Sequence, residues 1–373
     1  MKLFDVYSIY NIEPVSAKAC TLYDSKGQRY LDFYGGHAVI SVGHSHPYYT
    51  EKLKIQISKL GFYSNAVING LQQEFSDKLG KLSGCDDYEL FLCNSGAEAN
   101  ENALKLASFH TGKKKVLAFK GAFHGRTSGA VAVTDIPSYN APFNQTDNVT
   151  FVPFNDADAA ETELAKGGYA AVIVEGIQGV SGIHVAENSF LQQLQKSCEK
   201  HAAILILDEI QSGCGRTGKY FSHQFAGIRP DIITMAKGIG NGFPMAGVLI
   251  SDKIKAVKGQ LGTTFGGNHL ACVAGIAVAD VMKAENLIEK AAEKGKMLEE
   301  ELKTIKGIKE IRGRGLMLAI EMENPVSELR NKLVYEHHIF TGGAGTHVIR
   351  LLPPLCITDA EIDQFLTTFK ALI

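Results

Sequence analysis

A chain of 373 residues that is 45% hydrophobic and 21% charged carries enough apolar material for two domains with cores of their own. Its formal net charge of −2 excludes both a basic field for nucleic acid and an acidic solvating tail. No apolar stretch approaches the ~18–20 residues of a membrane span. Met1-Lys2-Leu3-Phe4-Asp5 brings in an acid where a signal peptide needs an apolar core. The seven cysteines form no Cys-x-x-Cys pair and read as reduced thiols of a cytoplasmic protein.

In chain order, a lead segment gives way to two strand-like runs, Cys20–Asp24 and Arg29–Phe33, across a Ser25-Lys26-Gly27 turn. Helical periodicity follows at Tyr49–Leu60 and Leu71–Leu82. From about Leu90 to Ser251, short apolar runs alternate with helical stretches. The runs are Leu90–Leu92, Val116–Phe119, Gly129–Val133, Ala171–Val174, Ala203–Leu207, Ile232–Thr234 and Gly247–Ile250. Unbroken aliphatic runs of this kind fit strands covered on both faces, so the expectation is α/β with a mostly parallel central sheet. Helices are expected after His269 through Met282 and from Leu287 to Thr304. Strands follow within Gly315–Glu321 and Val348–Leu352, and a last helix at Asp359–Leu372. The expected division is residues 1–46 and 269–373 in one smaller α+β domain, with 47–268 as the large domain.

Two residues carry the chemistry. The apolar run Ala203–Leu207 ends in Asp208-Glu209-Ile210-Gln211, and Lys237 follows later among small residues in Met235-Ala236-Lys237-Gly238. A buried strand ending in an acid, then a lysine with small neighbours, suggests a site for pyridoxal 5'-phosphate. The acid would keep a pyridine nitrogen protonated, and the lysine would hold the aldehyde and later move protons.

Other segments fit that site, each with a plainer alternative. Asn94-Ser95-Gly96-Ala97-Glu98 opens a helical stretch, as a phosphate cup on free N–H groups or simply a capped helix with Ser95 as the cap. Phe123-His124-Gly125-Arg126-Thr127 follows a strand and faces the ligand side of an α/β sheet. Phe123 could cover a flat ring or lie in the core. Arg126 could grip a carboxylate or join a surface pair. Gly262-Thr263-Thr264-Phe265-Gly266-Gly267 offers hydroxyls and amides to a phosphate, or is a helix lead-in. Arg350, among aliphatics in Val348–Leu352, needs a carboxylate ligand or an internal acid.

Two patterns are read as decoys. Gly213–Lys219 has the Gly-x-x-x-x-Gly-Lys spacing, but Tyr220-Phe221 follows where a nucleotide loop needs Ser or Thr and then a helix. His44 and His46 stand before Pro47 without a third ligand nearby, so no metal site is expected.

Taken together in this order, six motifs closely resemble the class III aminotransferases of fold type I across nearly the whole chain. They are Asn94–Asn100, Phe123–Thr127, Asp208–Gly213, Ala236–Gly238, Thr263–Asn268 and Ile349–Pro354. Within that class, the compact length and Phe33–Val39 look most like the N-acetylornithine aminotransferase group of arginine biosynthesis. The resemblance implies Lys237 as the Schiff-base lysine and Asp208 as partner of the pyridinium nitrogen. It implies Gln211 near the ring hydroxyl, Phe123 on the ring face, and Ser95, Gly96 and Ala97 at the phosphate. Thr264 would reach the phosphate of a neighbouring subunit, which implies a homodimer with shared sites. Arg126 and Arg350 would take substrate carboxylates, and Tyr10 would touch substrate.

The implied reaction moves the δ-amino group of an N-acylornithine, acetylated or succinylated, to 2-oxoglutarate. Ornithine, 4-aminobutyrate or another ω-amine is the alternative donor. One departure stands out. Where the family shows Glu-Pro-Ile-Gln-Gly-Glu-Gly-Gly, this chain has Glu175-Gly176-Ile177-Gln178-Gly179-Val180-Ser181-Gly182. Val180 replaces the glutamate that pairs with the arginine matched by Arg350. That makes the pocket less acidic, and the expectation is a different acyl pocket or a changed arginine switch.

Overall fold

The computed structural model describes residues 1–373. Its centre is a seven-stranded sheet in the order Glu89–Cys93, Ala246–Ile250, Ile232–Met235, Ile204–Asp208, Tyr169–Glu175, Lys115–Phe119 and Val149–Val152. Neighbours from Ile232–Met235 onward pair in parallel, while Ala246–Ile250 runs antiparallel to both of its partners. Tyr169–Glu175 and Ile204–Asp208 are buried along their whole length. This is why they read as continuous aliphatic runs: helix Gly96–Thr111 covers one face and helix Asn188–His201 the other. The register pairs Asp208 with Glu175, so two carboxyl groups end adjacent strands side by side.

The chain ends meet in smaller sheets. Arg29–Asp32 pairs in parallel with Ile339–Phe340, so the N-terminal strands and a C-terminal strand share one sheet. Ile308–Arg314, Met317–Met322, Val348–Leu351 and Gly342–Ala344 form another. The closing helix Asp359–Leu372 begins with a reciprocal cap: Glu361 N–H donates to Thr358 Oγ1, and Thr358 N–H donates to the Glu361 carboxylate. Phe365 of this helix stacks on Phe33, with ring centroids 4.4 Å apart. No helix is long and apolar enough to cross a membrane.

One expected strand is wrong. Gly129–Val133 lies in the helix Ser128–Ala132. The cause is a long-range cap: the Glu101 carboxylate accepts from Gly129 N–H and Ala130 N–H at 2.9 Å each and from the Thr127 hydroxyl at 2.8 Å. A carboxylate on the free N–H groups of a helix start favours the helix over the strand that Val131 and Val133 suggest. Glu101→Ala should lower stability by about 1 kcal/mol, read as a fall in the thermal midpoint; no change would place the helix under the control of packing alone.

Candidate active site

A cavity of about 380 Å³ opens at the carboxyl ends of the central strands. Its wall includes Lys237, Asp208, Gln211 and Phe123, the Ser95-Gly96-Ala97 turn, Arg126 and Val180. Nine residues singled out from the sequence therefore converge on one space.

Asp208 is only 4% exposed. Its Oδ2 accepts from His124 Nδ1 at 2.8 Å and from Asn100 Nδ2 at 2.7 Å, and its Oδ1 from Ile210 N–H at 3.0 Å. Asn100 is fixed in turn: it donates to the His124 carbonyl and accepts from the Thr234 hydroxyl, both at 2.7 Å. A carboxyl group so supplied with donors can hold a cation in front of it. The sequence pointed to Asp208 but not to His124, Asn100 or Thr234. Asn100 and Thr234 are polar residues inside a helical and an apolar run, His124 stands in the loop after Lys115–Phe119, and only the fold brings them together.

Lys237 lies half-buried at the start of a single turn, with φ of +45°. Burial holds its ammonium below the ordinary lysine value; Asp208 and Glu175 pull upward, and Arg350 adds to the lowering. A neutral amine is thereby more accessible, which suits a group that both bonds and carries a proton.

The helix start is a capped one that still has donors to spare. Ser95 Oγ accepts from Glu98 N–H at 3.2 Å, but Glu98 turns its carboxylate to Asn94 N–H and Asn94 Nδ2 instead of returning to Ser95. The N–H groups of Gly96 and Ala97 have no partner in the chain and face the cavity. Gly96 is required here, because a Cβ would come within 2.8 Å of the Ile210 side chain.

Around the rest of the wall, the Arg126 guanidinium lies 3.4 Å from the Tyr139 ring centroid, on the exposed lip. Gln211 donates through Nε2 to the His37 carbonyl, and its buried Oε1 has no partner. Glu175, not selected from the sequence, is 6% exposed and accepts from Phe123 N–H and Gly179 N–H at 3.0 and 3.1 Å. Burial outweighs those bonds, and with Asp208 beside it pushes the carboxyl up to about 7.

Three expected site residues do not line the cavity. Arg350 is buried with no internal acid; Nη1 donates to the Gly179 carbonyl at 2.9 Å and Nε to the Gly343 carbonyl at 3.0 Å. Thr264 is on an exposed loop. Tyr10 accepts from Arg330 at 3.0 Å and packs edge-on against Tyr335 and Phe340. The decoys have ordinary roles. Lys219 caps the Gln224 carbonyl, while Arg216 bonds the carbonyls of Leu316, Pro353 and Ile40. His44 pairs with Asp32 and His46 with Glu285.

A fully wound α/β sheet with a lysine, an anchored aspartate and a phosphate-type helix start at its carboxyl edge defines a fold type I transferase. The Aminotransferase class-III family model matches residues 6–373, and the chain belongs to that family. It is 40% identical to the acetylornithine aminotransferase of Bacillus subtilis over 100% of this chain and 97% of that protein. It is 38% identical to that of Archaeoglobus fulgidus, over 97% and 96%. Among solved structures, the acetylornithine aminotransferase of Elizabethkingia anophelis superposes with a TM-score of 0.86 at 30% identity, covering 98% of this chain and 94% of that one. The ornithine aminotransferase of Toxoplasma gondii, with PLP at its active site, superposes at 0.92 with 29% identity, covering 98% and 90%.

The family's cofactor is pyridoxal 5'-phosphate. The free N–H groups of Gly96 and Ala97 and the orphaned Gln211 Oε1 fit a phosphorylated ring, and Asp208 fits its cationic nitrogen. The ligand-free protein should also show a pH signature. Glu175 holds its proton more tightly folded, at about 7, than at the ordinary 4.5, so its stabilising contribution is full below 4.5 and is lost as pH rises to about 7. Thermal midpoints between pH 5 and 8 should fall with pH for the wild type, and Glu175→Gln should flatten that slope; an unaltered slope would assign it to another group.

Proposed function

We propose that this chain transfers the δ-amino group of an N-acylornithine to 2-oxoglutarate, giving N-acylglutamate semialdehyde and glutamate, as a cytoplasmic step of arginine biosynthesis. The observation that carries this reading is the convergence of Lys237, Asp208 and the Ser95–Ala97 turn on a cavity whose lip bears Arg126. When bound, pyridoxal phosphate supplies an electron sink for the carbon that loses its proton.

The chain's own residues do the rest. Lys237 Nζ, whose proton affinity burial lowers, would take the proton from the substrate carbon and pass it to the cofactor carbon. Asp208, fixed by His124 and Asn100, holds the positive charge of the ring nitrogen in place. Gln211 Oε1 receives the ring hydroxyl, Phe123 covers the ring face, and Gly96 and Ala97 take the phosphate with Ser95 at the turn. Arg126 grips the carboxylate remote from the reacting amine, and Arg350 takes the carboxylate next to the reacting carbon of glutamate or 2-oxoglutarate. Tyr10, bonded to Arg330, belongs to the substrate side at most through that arginine.

Two further parts of the reading rest on surface features. The sheet shared by the chain ends supports taking 1–46 and 269–373 as a small domain against a large one at 47–268. Thr264 belongs to a loop edged by Phe265 and, through Asn65 and Asn69, by a segment with exposed Phe62, Tyr63, Val67 and Ile68. An apolar edge of this kind supports a homodimer in which Thr264 reaches the partner's phosphate site. Phe265→Asp should halve the mass measured by light scattering and weaken cofactor binding; an unchanged mass argues against that interface.

Val180 favours an acyl pocket unlike that of the usual acetylornithine enzyme, with the succinyl group as the alternative to acetyl. Single-turnover mixing of the loaded enzyme with N-acetylornithine, N-succinylornithine, ornithine or 4-aminobutyrate, without oxo acid, decides the donor by the change in cofactor absorbance. Fast change with one acylated ornithine supports the reading and names the acyl group. Change only with the free amines replaces it. Lys237→Ala should abolish turnover with the thermal midpoint nearly kept; full activity in that variant would remove the assignment.

A further inference from the structure

We infer that Glu175 is a positioning residue that joins the ring-covering loop to the seat of Arg350. Each of its two oxygens holds a different loop: Oε1 accepts from Phe123 N–H at 3.0 Å, and Oε2 from Gly179 N–H at 3.1 Å. Gly179 passes the constraint on in two directions. Its carbonyl receives Arg350 Nη1 at 2.9 Å. Its Cα lies so close to Gln211 that a Cβ would stand 1.8 Å from Gln211 Oε1.

One carboxylate therefore sets Phe123, Gln211 and Arg350 relative to one another. It is anchored in a rigid strand, in register with Asp208. A shift of either loop would be felt by both the cofactor side and the carboxylate side of the cavity. The inference rests on the assignment of Phe123 to the ring and of Arg350 to 2-oxoglutarate.

Glu175→Gln keeps the shape and turns one acceptor into a donor facing an N–H. At pH 8, with cofactor saturating, it should raise the KM for 2-oxoglutarate about tenfold while leaving the KM for the acylated ornithine within about twofold, the loss of one hydrogen-bonded seat. Cofactor titrated into the stripped protein and followed by absorbance should bind about tenfold more weakly. In Glu175→Gln/Arg350→Ala, the 2-oxoglutarate KM should rise no further than in Arg350→Ala alone.

Glu175→Asp, which keeps the charge but reaches only one N–H, is the second variant should the first not fold, and it should move at least one of the two constants. If both constants stay within twofold of wild type in a folded variant, or the double variant is additive, the inference is overturned. Arg350→Ala alone separates the two levels. If it leaves the 2-oxoglutarate KM unmoved, the seat is misassigned and the inference falls with it; if it moves that KM and Glu175→Gln does not, the inference falls alone.

Discussion

Two carboxyl groups at the ends of adjacent buried strands, Asp208 and Glu175, set the constraint that the site is built around. Neither could be buried without hydrogen-bond donors. Asp208 draws in His124 and Asn100, which fixes the loop after Lys115–Phe119 and the first turns of Gly96–Thr111. Glu175 draws in the backbone of Phe123 and Gly179. Satisfying two buried carboxyl groups thus positions most of the cavity wall in front of Lys237. A cationic ring placed there completes the charge balance.

The lysine loop is tied down from the other side by the N-terminal segment. Ser41 Oγ donates to the Gly238 carbonyl at 2.6 Å, and Asn241 Oδ1 accepts from Ser41 N–H and Val42 N–H at 2.8 and 3.1 Å. Asn241 Nδ2 in turn reaches the Gly43 carbonyl at 3.0 Å. The left-handed backbone at Lys237 is sustained by these bonds, a strained conformation held by its surroundings at a functional position. Arg216 does similar work further along, bonding carbonyls from both chain ends. This explains why a loop with nucleotide-binding spacing serves as a tie between segments.

What the sequence disclosed follows from what is local. The central strands were legible because burial on both faces demands unbroken aliphatic runs, and the final helix because its capping box is written in Thr358 and Glu361. Lys237, Asp208 and the Ser95–Ala97 turn were legible because each is the polar end of such a run. What stayed hidden depends on distant partners. Glu101 makes a helix of Ser128–Ala132, and nothing near Gly129 in the chain announces it. The strand Pro14–Lys18 is largely exposed and Val149–Val152 and Ile308–Arg314 are mostly half-buried, so none presents a long unbroken apolar run. Glu175 and His124 read as incidental polar residues until the register sets them beside Asp208. Tyr10, which the resemblance places at substrate, accepts a hydrogen bond from Arg330 in the fold.

Arg350 turns the replacement at Val180 into a matter of energetics. The expectation was a carboxylate ligand or an internal acid, and the structure provides no acid: peptide carbonyls at Gly179 and Gly343 hold the guanidinium, and burial keeps it below the ordinary arginine value. A hydrogen bond to a charged group contributes ~1.5–3 kcal/mol, whereas breaking a buried ion pair costs ~3–5 kcal/mol. An arginine held by two neutral carbonyls and by the Tyr34 hydroxyl at 3.5 Å has no acid that an incoming anion would need to displace. The guanidinium thus stands behind the Gly179–Val180 stretch of the wall with no acid to pair it.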